Sequence, residues 1–261
     1  MNYALVELRC ELDRWQEAGK IARFWWRDDD AVAATPALDR LIAMTAELGV
    51  PLGLAVIPNK VEPSLFKRLS GLSHIRVLPH GASHLNHAPS DQKKAEFGAH
   101  RPVELMLNEI ASALAWFGLR CPEGGLPFAP IFVPPWNRID PALAARLDEA
   151  DIARVSTFNP RSRQAPDPKP INTHVDPIDW KHGKRFLGWE AAMAPLLAHL
   201  KARRLDDPAV DIDPTEPTGL LSHHLVQDRA VWEFLGAVGQ EITDHKAAAW
   251  ADPLDLAKDP R

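Results

Sequence analysis

The stretch IARFWWRDDD, residues 21–30, joins an apolar run to three consecutive aspartates. The aromatic and branched residues from Ile21 to Trp26 are typical of a buried strand. Asp28 and Asp29 are therefore expected at the carboxyl end of that strand. Adjacent carboxylates next to a buried strand repel one another unless a cation or a proton compensates them. The stretch thus predicts a central strand that ends in a charged functional site.

Further strands and helices alternate along the rest of the chain. Leu5, Leu8, Leu12 and Trp15 recur at helical spacing, which predicts an amphipathic helix within residues 1–19. Later helices are predicted at 36–48, 63–69, 102–117 and 141–150, and strands at 52–57, 75–78, 130–133 and 152–156. This alternation favours parallel strands with crossover helices, in an α/β sheet or barrel. We expect a single domain over residues 1–261, with the first helix packed on it.

Charge and composition restrict the kinds of partner. The 30 basic and 35 acidic residues give a net charge of −5 and are spread along the chain, so neither a nucleic acid nor an anionic membrane is expected as a partner. A small molecule or an oligosaccharide fits better. No apolar run is long enough to cross a bilayer, and residues 1–9 do not resemble a secretory signal, which predicts a cytoplasmic protein. Cys10 and Cys121 are expected to be reduced and structural.

Two histidines follow the strand predicted at 75–78. His80 and His84 are four residues apart, so two imidazoles on one face of a turn can reach one metal ion. With one aspartate of the triplet they supply three ligands and leave a position open for water, as in catalytic metal sites. His87 is a weaker candidate ligand or substrate contact, and the polar loop 88–100 is a candidate lid.

Two more segments carry candidate catalytic groups. The double proline before Trp136 predicts a rigid turn whose backbone N–H could stabilise an oxyanion. Asp179 could orient His223 and keep it partly protonated, as a general acid requires.

Taken together, these segments resemble the polysaccharide deacetylase family, carbohydrate esterase family 4, whose domain is also called the NodB-like homology domain. The family's first motif, Thr-Phe-Asp-Asp-Gly, aligns with residues 26–30, which makes Asp28 the catalytic base and Asp29 a metal ligand. A register with Asp29 as base and Asp30 as ligand stays open. The second motif, with histidines four residues apart, matches His80 and His84. The resemblance implies a distorted (β/α)7 barrel.

The fourth and fifth family motifs match residues 176–180 and 221–223. By resemblance Asp179 tunes the acid His223, while Trp180 and Leu221 line the acyl pocket. The third motif departs from the pattern, because the family's Arg before the proline and Tyr after it are here Val133 and Trp136.

Loss of that Arg removes the usual partner of the catalytic aspartate, and either Arg27 or Arg138 is a candidate replacement. Glu96, Arg101, Arg138 and His87 are candidate substrate contacts. With no secretory signal apparent, these departures predict a divergent, intracellular member of the family.

The resemblance implies metal-dependent hydrolysis of a C–N amide bond, most simply removal of an N-acyl group from a sugar or small metabolite. Two nitrogen ligands and one oxygen ligand suit Zn²⁺, and Co²⁺, Ni²⁺ and Mn²⁺ are alternatives. A metal-independent hydrolase of ureides or cyclic amides with the same fold, and a non-catalytic carbohydrate-binding protein, are the competing hypotheses.

Overall fold

Strands and helices alternate from Ala22 to Val155 and again from Arg185 to Lys258. The computed structural model describes residues 2–120 and 126–258. The strands are β1 (Ala22–Ala31), β2 (Leu52–Val56), β3 (Ile75–Pro79), β4 (Ile131–Phe132), β5 (Arg154–Val155), β6 (Ile178–Asp179), β7 (Arg185–Phe186), β8 (Thr218–Ser222) and β9 (Ala248–Trp250). The helices are α1 (Tyr3–Glu17), α2 (Pro36–Glu47), α3 (Pro63–Leu69), α4 (Val103–Arg120), α5 (Pro141–Ala144), α6 (Trp189–Leu205), α7 (Arg229–Asp244) and α8 (Pro253–Lys258).

Seven parallel segments follow one another around a barrel. A regular sheet contains β3, β2, β1 and β8 in that order. Beyond β3, single bridges lead to β4, which pairs with β5. The extended segment 171–175 then bridges to the residues after β5 and, through Val175 and Leu220, back to β8. The long ladders on one side and single bridges on the other make this a distorted (β/α)7 barrel, as predicted.

Side chains of β1 alternate between two environments, as the period of a strand requires. Trp25 belongs to an apolar cluster with Ala55, Leu78 and Ile131, one residue from each of four strands, so it fills the barrel interior. Phe24 and Trp26 instead pack in the larger cluster between the barrel and the helices. The apolar run of the sequence therefore serves two cores, which is why nearly all of it is buried.

Element boundaries differ from the sequence prediction at two informative places. β1 continues to Ala31, so it contains all three aspartates instead of ending before them. The helix predicted over 141–150 is divided into α5 and a 3-10 turn at Leu147–Ala150, because Arg146 leaves helical geometry with φ −124° and ψ 14°. α1 packs against α6 and α7, as expected for a helix on the outside of the barrel.

Two further expectations concern cysteines and membranes. Cys10 is a free thiol on the exposed face of α1, so it has no structural role in the core, and Cys121 lies outside the described residues. Across residues 2–120 and 126–258, none of the helices combines the length and the apolar character that spanning a bilayer requires.

Gly219 in β8 tests the close packing of the barrel interior. A Cβ at this position would lie 2.5 Å from the indole Nε1 of Trp25 and 2.6 Å from the carbonyl oxygen of Asn172. We expect Gly219→Ala to lower the free energy of unfolding by about 1–3 kcal/mol in urea titrations. Gly118→Ala in α4 is the matched control, since an added Cβ meets nothing within 4 Å, and it should be stabilising by up to about 1 kcal/mol. Equal effects of the two substitutions would contradict the packing described.

Candidate metal centre and active site

Asp30, His80 and His84 meet at the carboxyl end of the barrel. Their candidate ligand atoms all lie within 4.8 Å of one another. Oδ1 of Asp30 is 3.1 Å from Nε2 of His80 and 3.3 Å from Nε2 of His84. His80 is buried, whereas the side chains of Asp30 and His84 are partly exposed. The group is therefore anchored on one side and accessible on the other.

A distortion of β1 explains why the third aspartate reaches the histidines. Strand geometry alone would send Asp29 and Asp30 to opposite faces. The ladder between β1 and β2 changes register between Asp28 and Ala31, and Asp30 has a positive φ of 74°. Such a bulge redirects one side chain, so adjacent carboxylates can serve one site.

The ring of His80 is oriented by a backbone carbonyl. Its Nδ1 lies 2.9 Å from the carbonyl oxygen of Val133, at a bridge between the ends of β3 and β4. Donation from Nδ1 to this carbonyl fixes the ring so that Nε2 faces Asp30, and Nε2 is the nitrogen left to bind a metal ion in the neutral ring.

The loop that carries His84 is built on a buried carboxylate. Glu96 accepts hydrogen bonds from the backbone N–H groups of Ala82, Ser83 and His84. Gly81 has φ +62°, and a Cβ there would lie 2.2 Å from Oε2 of Glu96. The glycine at this motif position is thus required by the close approach of Glu96. Because Glu96 is 1% exposed, its predicted contact with substrate is wrong, and it supports the ligand loop instead.

Electrostatics couple the three candidate ligands. Burial disfavours the charged form of both partners, but the hydrogen bond between Asp30 and His80 and the attraction of the neighbouring opposite charges together outweigh it, so the pKa of Asp30 is lowered and the pKa of His80 is raised. Burial and the neighbouring His80 lower the pKa of His84. The site thus favours a negative carboxylate next to two ring nitrogens, an arrangement that suits a cation.

Asp29 forms a buried ion pair with Arg27. The two residues are separated by one position in the strand, so their side chains share a face, and the guanidinium contacts both carboxylate oxygens, at 2.8 and 2.9 Å. Arg27 also donates to Oγ of Ser156 at 2.7 Å and to Oδ1 of Asn137 at 2.8 Å. Arg27 thereby positions the Asp29 carboxylate, which is not one of the three residues of the candidate ligand group.

Asp28 is enclosed completely. It is 0% exposed, and it accepts hydrogen bonds from the Ser222 hydroxyl and from the backbone N–H and Nδ1 of His224. A carboxylate without solvent access cannot take a proton from attacking water, so the expected register with Asp28 as base and Asp29 as ligand is wrong. The geometry fits the register that the sequence left open, with Asp29 and Asp30 in these positions.

Of the two candidate arginines, only Arg27 contacts an aspartate of the triplet. Arg138 donates instead to the carbonyl oxygen of Lys94. Arg101 donates to the carbonyl oxygen of Glu96 and to Glu109, so it supports the same loop and is not directed at a substrate.

His223 lies beside Trp180 and not beside Asp179. The His223 and Trp180 rings pack edge-on, with centroids 4.6 Å apart. Asp179 accepts hydrogen bonds from His182 and its turn, so the predicted Asp179–His223 pair is not formed. Asp176 accepts from the indole N–H of Trp180 at 2.7 Å, and burial raises the pKa of its carboxyl group.

Other predicted residues have the following positions. Trp136 has a positive φ of 57°, and its ring contacts His84 at a centroid distance of 4.5 Å. Leu221 is buried opposite Arg27 in the β1–β8 ladder, while His87 is exposed on the loop after His84. The sequence analysis missed Asn137 and Ser156, because only their approach to Arg27 in three dimensions reveals them.

A second buried cluster of His174, His199 and Glu216 lies near the amino end of β8. Its ligand atoms are also close together, and the two imidazoles stack with centroids 3.6 Å apart. However, the N–H of Gly219 donates to Nδ1 of His174 at 2.8 Å, so the neutral ring carries its proton on Nε2, facing Glu216. Burial lowers the pKa of His199 to about 3, which keeps that ring neutral. The cluster thus differs from the Asp30–His80–His84 group in that all three residues are buried and one histidine is engaged through both ring nitrogens.

Removing the guanidinium tests the buried ion pair. Arg27→Met should lower the free energy of unfolding by about 3–5 kcal/mol, because it leaves the Asp29 carboxylate buried without its partner. Arg138→Met is the control, and its effect should stay within about 0.5 kcal/mol in the same denaturant titration at pH 7. A small effect of Arg27→Met would show that Asp29 does not depend on this arginine.

Comparisons with known proteins agree with this architecture. No protein-family model matches the chain, and no curated protein matches it. A putative polysaccharide deacetylase from Mycobacterium smegmatis is similar with a TM-score of 0.63 and 14% identity, over 92% of this chain and 90% of that one. A family 4 acetyl xylan esterase from Clostridium thermocellum, in complex with a cobalt ion, has a TM-score of 0.51 and 14% identity, over 91% and 94%. The peptidoglycan deacetylase PdaC from Bacillus subtilis has a TM-score of 0.50 and 15% identity, over 91% and 92%. The chain therefore has the NodB-like fold of the polysaccharide deacetylases.

Proposed function

We propose that this protein is a metal-dependent hydrolase of C–N amide bonds that removes an N-acyl group from a sugar or small metabolite. The observation that carries the proposal is the pairing of an accessible Asp30–His80–His84 group with a separate carboxylate, Asp29, that Arg27 orients. Metal-assisted hydrolysis requires residues that bind the metal ion and a nearby base that accepts a proton from water.

The three ligand residues fit a divalent cation. Two imidazole nitrogens and one carboxylate oxygen converge, and Val133 holds His80 in the tautomer that ligation requires. This donor set suits Zn²⁺, with Co²⁺, Ni²⁺ and Mn²⁺ as alternatives. A bound ion would polarise the amide carbonyl and lower the pKa of a water molecule.

Residues of the chain supply the proton transfers. Asp29 accepts a proton from the attacking water, and the two contacts with Arg27 hold its carboxylate in position. His223 delivers a proton to the departing amine, which is a poor leaving group unless it is protonated. The backbone N–H of Trp136, in the strained turn next to His84, donates to the developing oxyanion.

The substrate lies against the exposed face of this group. Trp180, which is 43% exposed, forms the wall that receives the acyl group, and the exposed His87 contacts the remainder of the substrate. Leu221, which the resemblance assigns to this pocket, is 1% exposed and packs within the barrel. The similar structures from C. thermocellum and B. subtilis, named as an acetyl xylan esterase and a peptidoglycan deacetylase, support an acyl group on a carbohydrate.

The non-catalytic alternative was motivated by the loss of the third-motif arginine. Arg27 supplies a guanidinium to Asp29 from the same strand. The missing arginine of the third motif therefore does not argue against catalysis. The ligand group equally favours a metal-dependent reaction over the metal-independent alternative.

Two substitutions in the triplet separate metal binding from turnover. Asp30→Ala should weaken metal binding by more than about 100-fold, since it removes a ligand. Asp29→Asn should retain the metal but lower kcat by roughly 10²–10⁴-fold, the usual contribution of a general base. Elemental analysis and amine release from a panel of N-acetyl and N-formyl sugars measure the two effects. Turnover by Asp29→Asn at the wild-type rate would contradict the assignment of Asp29 as the base. Activity of the metal-free protein on the panel would contradict the proposed metal dependence.

The raised pKa of His80 predicts how metal affinity depends on pH. Ligation requires the neutral imidazole, whereas the hydrogen bond that His80 donates to Asp30 favours the protonated ring in the metal-free protein. Affinity should be constant above the pKa of His80 and should fall up to about tenfold per pH unit below it. Titration calorimetry with Zn²⁺ between about pH 5.5 and 8.5 measures this slope. A constant affinity over that range would contradict ligation by His80.

A further inference from the structure

His223 lacks the direct partner that would orient a general acid. Its Nδ1 is buried and makes no hydrogen bond with any of the described residues. The carboxylate expected there, Asp179, is used by His182 and its own turn. The ring packs against Trp180, and the neighbouring Asp176 carboxylate interacts with it electrostatically. Its orientation therefore depends strongly on the backbone that carries it.

The hydrogen bonds of Asp28 act on both residues that flank His223. One carboxylate oxygen, Oδ2, accepts from the Ser222 hydroxyl at 2.5 Å and from the backbone N–H of His224 at 3.0 Å. The other, Oδ1, accepts from Nδ1 of His224 at 2.5 Å. Three hydrogen bonds to one buried carboxylate thus hold the residues before and after the acid.

The strand register connects this contact to the rest of the site. Asp28 pairs with Ser222 in the β1–β8 ladder, and the next two residues of β1 are Asp29 and Asp30. Trp26, two residues earlier, donates its indole N–H to the Ser222 hydroxyl at 2.9 Å. The end of β1 therefore contacts the residues beside His223 through Asp28 and also carries the proposed base Asp29 and the proposed ligand Asp30.

We propose that Asp28 is a positioning residue that fixes His223 for proton delivery to the leaving group. This role rests on the proposed function, because it presumes that His223 acts as the acid. Asp28 itself touches neither substrate nor metal, since it is 0% exposed and the side chain is used in holding the loop after β8. The proposal accounts for a buried carboxylate that the mechanism otherwise does not use.

Leaving-group dependence distinguishes positioning of the acid from a general structural role. An amine must be protonated as it departs, whereas 4-nitrophenolate leaves without a proton, so only amide hydrolysis needs His223. In the metal-loaded enzyme, Asp28→Asn should lower kcat for an N-acetyl amino sugar by about 100-fold or more. Hydrolysis of 4-nitrophenyl acetate should change by less than about threefold, with unchanged metal content. An equal loss on both substrates, or no loss on either, would overturn the proposal.

Asp213→Asn is the matched control. Asp213 is also a buried carboxylate with several hydrogen bonds, but it precedes β8 at the opposite end of the strand from Ser222. Its substitution should leave the ratio of amide to ester turnover unchanged, and a shift equal to that of Asp28→Asn would overturn the proposal.

Should Asp28→Asn not fold, Ser222→Ala removes one of the three contacts and should give a smaller loss confined to the amide.

A spectroscopic measurement tests the positioning without a substrate. The imidazole ¹⁵N signals of His223, assigned with His223→Gln, should shift in Asp28→Asn and stay unchanged in Asp213→Asn. Unchanged signals in Asp28→Asn would overturn the proposal. If the wild-type enzyme hydrolyses neither substrate, the proposed function fails, while these signals still decide whether Asp28 holds His223.

Discussion

The buried ion pair between Arg27 and Asp29 is the interaction on which the site depends. Three consecutive aspartates in one strand are stable only if each negative charge has its own compensation. Arg27 pairs with Asp29, and the Asp30 carboxylate contacts His80 and His84. Asp28 accepts three hydrogen bonds, one from Ser222 at the end of β8 and two from His224 just after it. Because the partners differ, chemically identical neighbours acquire three separate roles.

The cost of burying Arg27 explains residues that have no obvious part in the chemistry. A guanidinium without solvent requires partners for its remaining N–H groups. Ser156 and Asn137 provide them, from the end of β5 and from the turn after β4. The ion pair therefore brings three distant parts of the barrel rim together. The turn after β4 has positive φ at both Trp136 and Asn137, and the Trp136 ring contacts the candidate ligand His84.

The two ends of β8 use buried polar groups differently. At the amino end, His174 accepts from the N–H of Gly219 and faces Glu216, and the ring of His199 stacks on it within the buried interior. At the carboxyl end, Ser222 and His224 bond to Asp28, and the partly exposed Asp30 and His84 lie nearby with His80. In parallel barrels the carboxyl end carries the chemistry and the amino end the stability, and the greater exposure of the polar groups at the carboxyl end here agrees with that division.

The sequence by itself determined the alternation of strands and helices and the pair of histidines, because hydrophobic period and short spacings are local properties. Periodicity left a sheet and a barrel as alternatives, and only the resemblance to the polysaccharide deacetylases implied the barrel. It left the register of the triplet open, since a bulge at Asp30 and its positive φ have no signature in residue types. It assigned Glu96 and Asp179 wrongly, because polarity does not reveal whether a carboxylate faces solvent or three backbone N–H groups. Only the tertiary structure decided which aspartate meets the histidines and which arginine replaces the missing one. The first choice depends on the bulge in β1 and on the contact between Asp30 and His80, 50 positions apart. The second depends on the buried surroundings of Arg27, which include Ser156, 129 positions away.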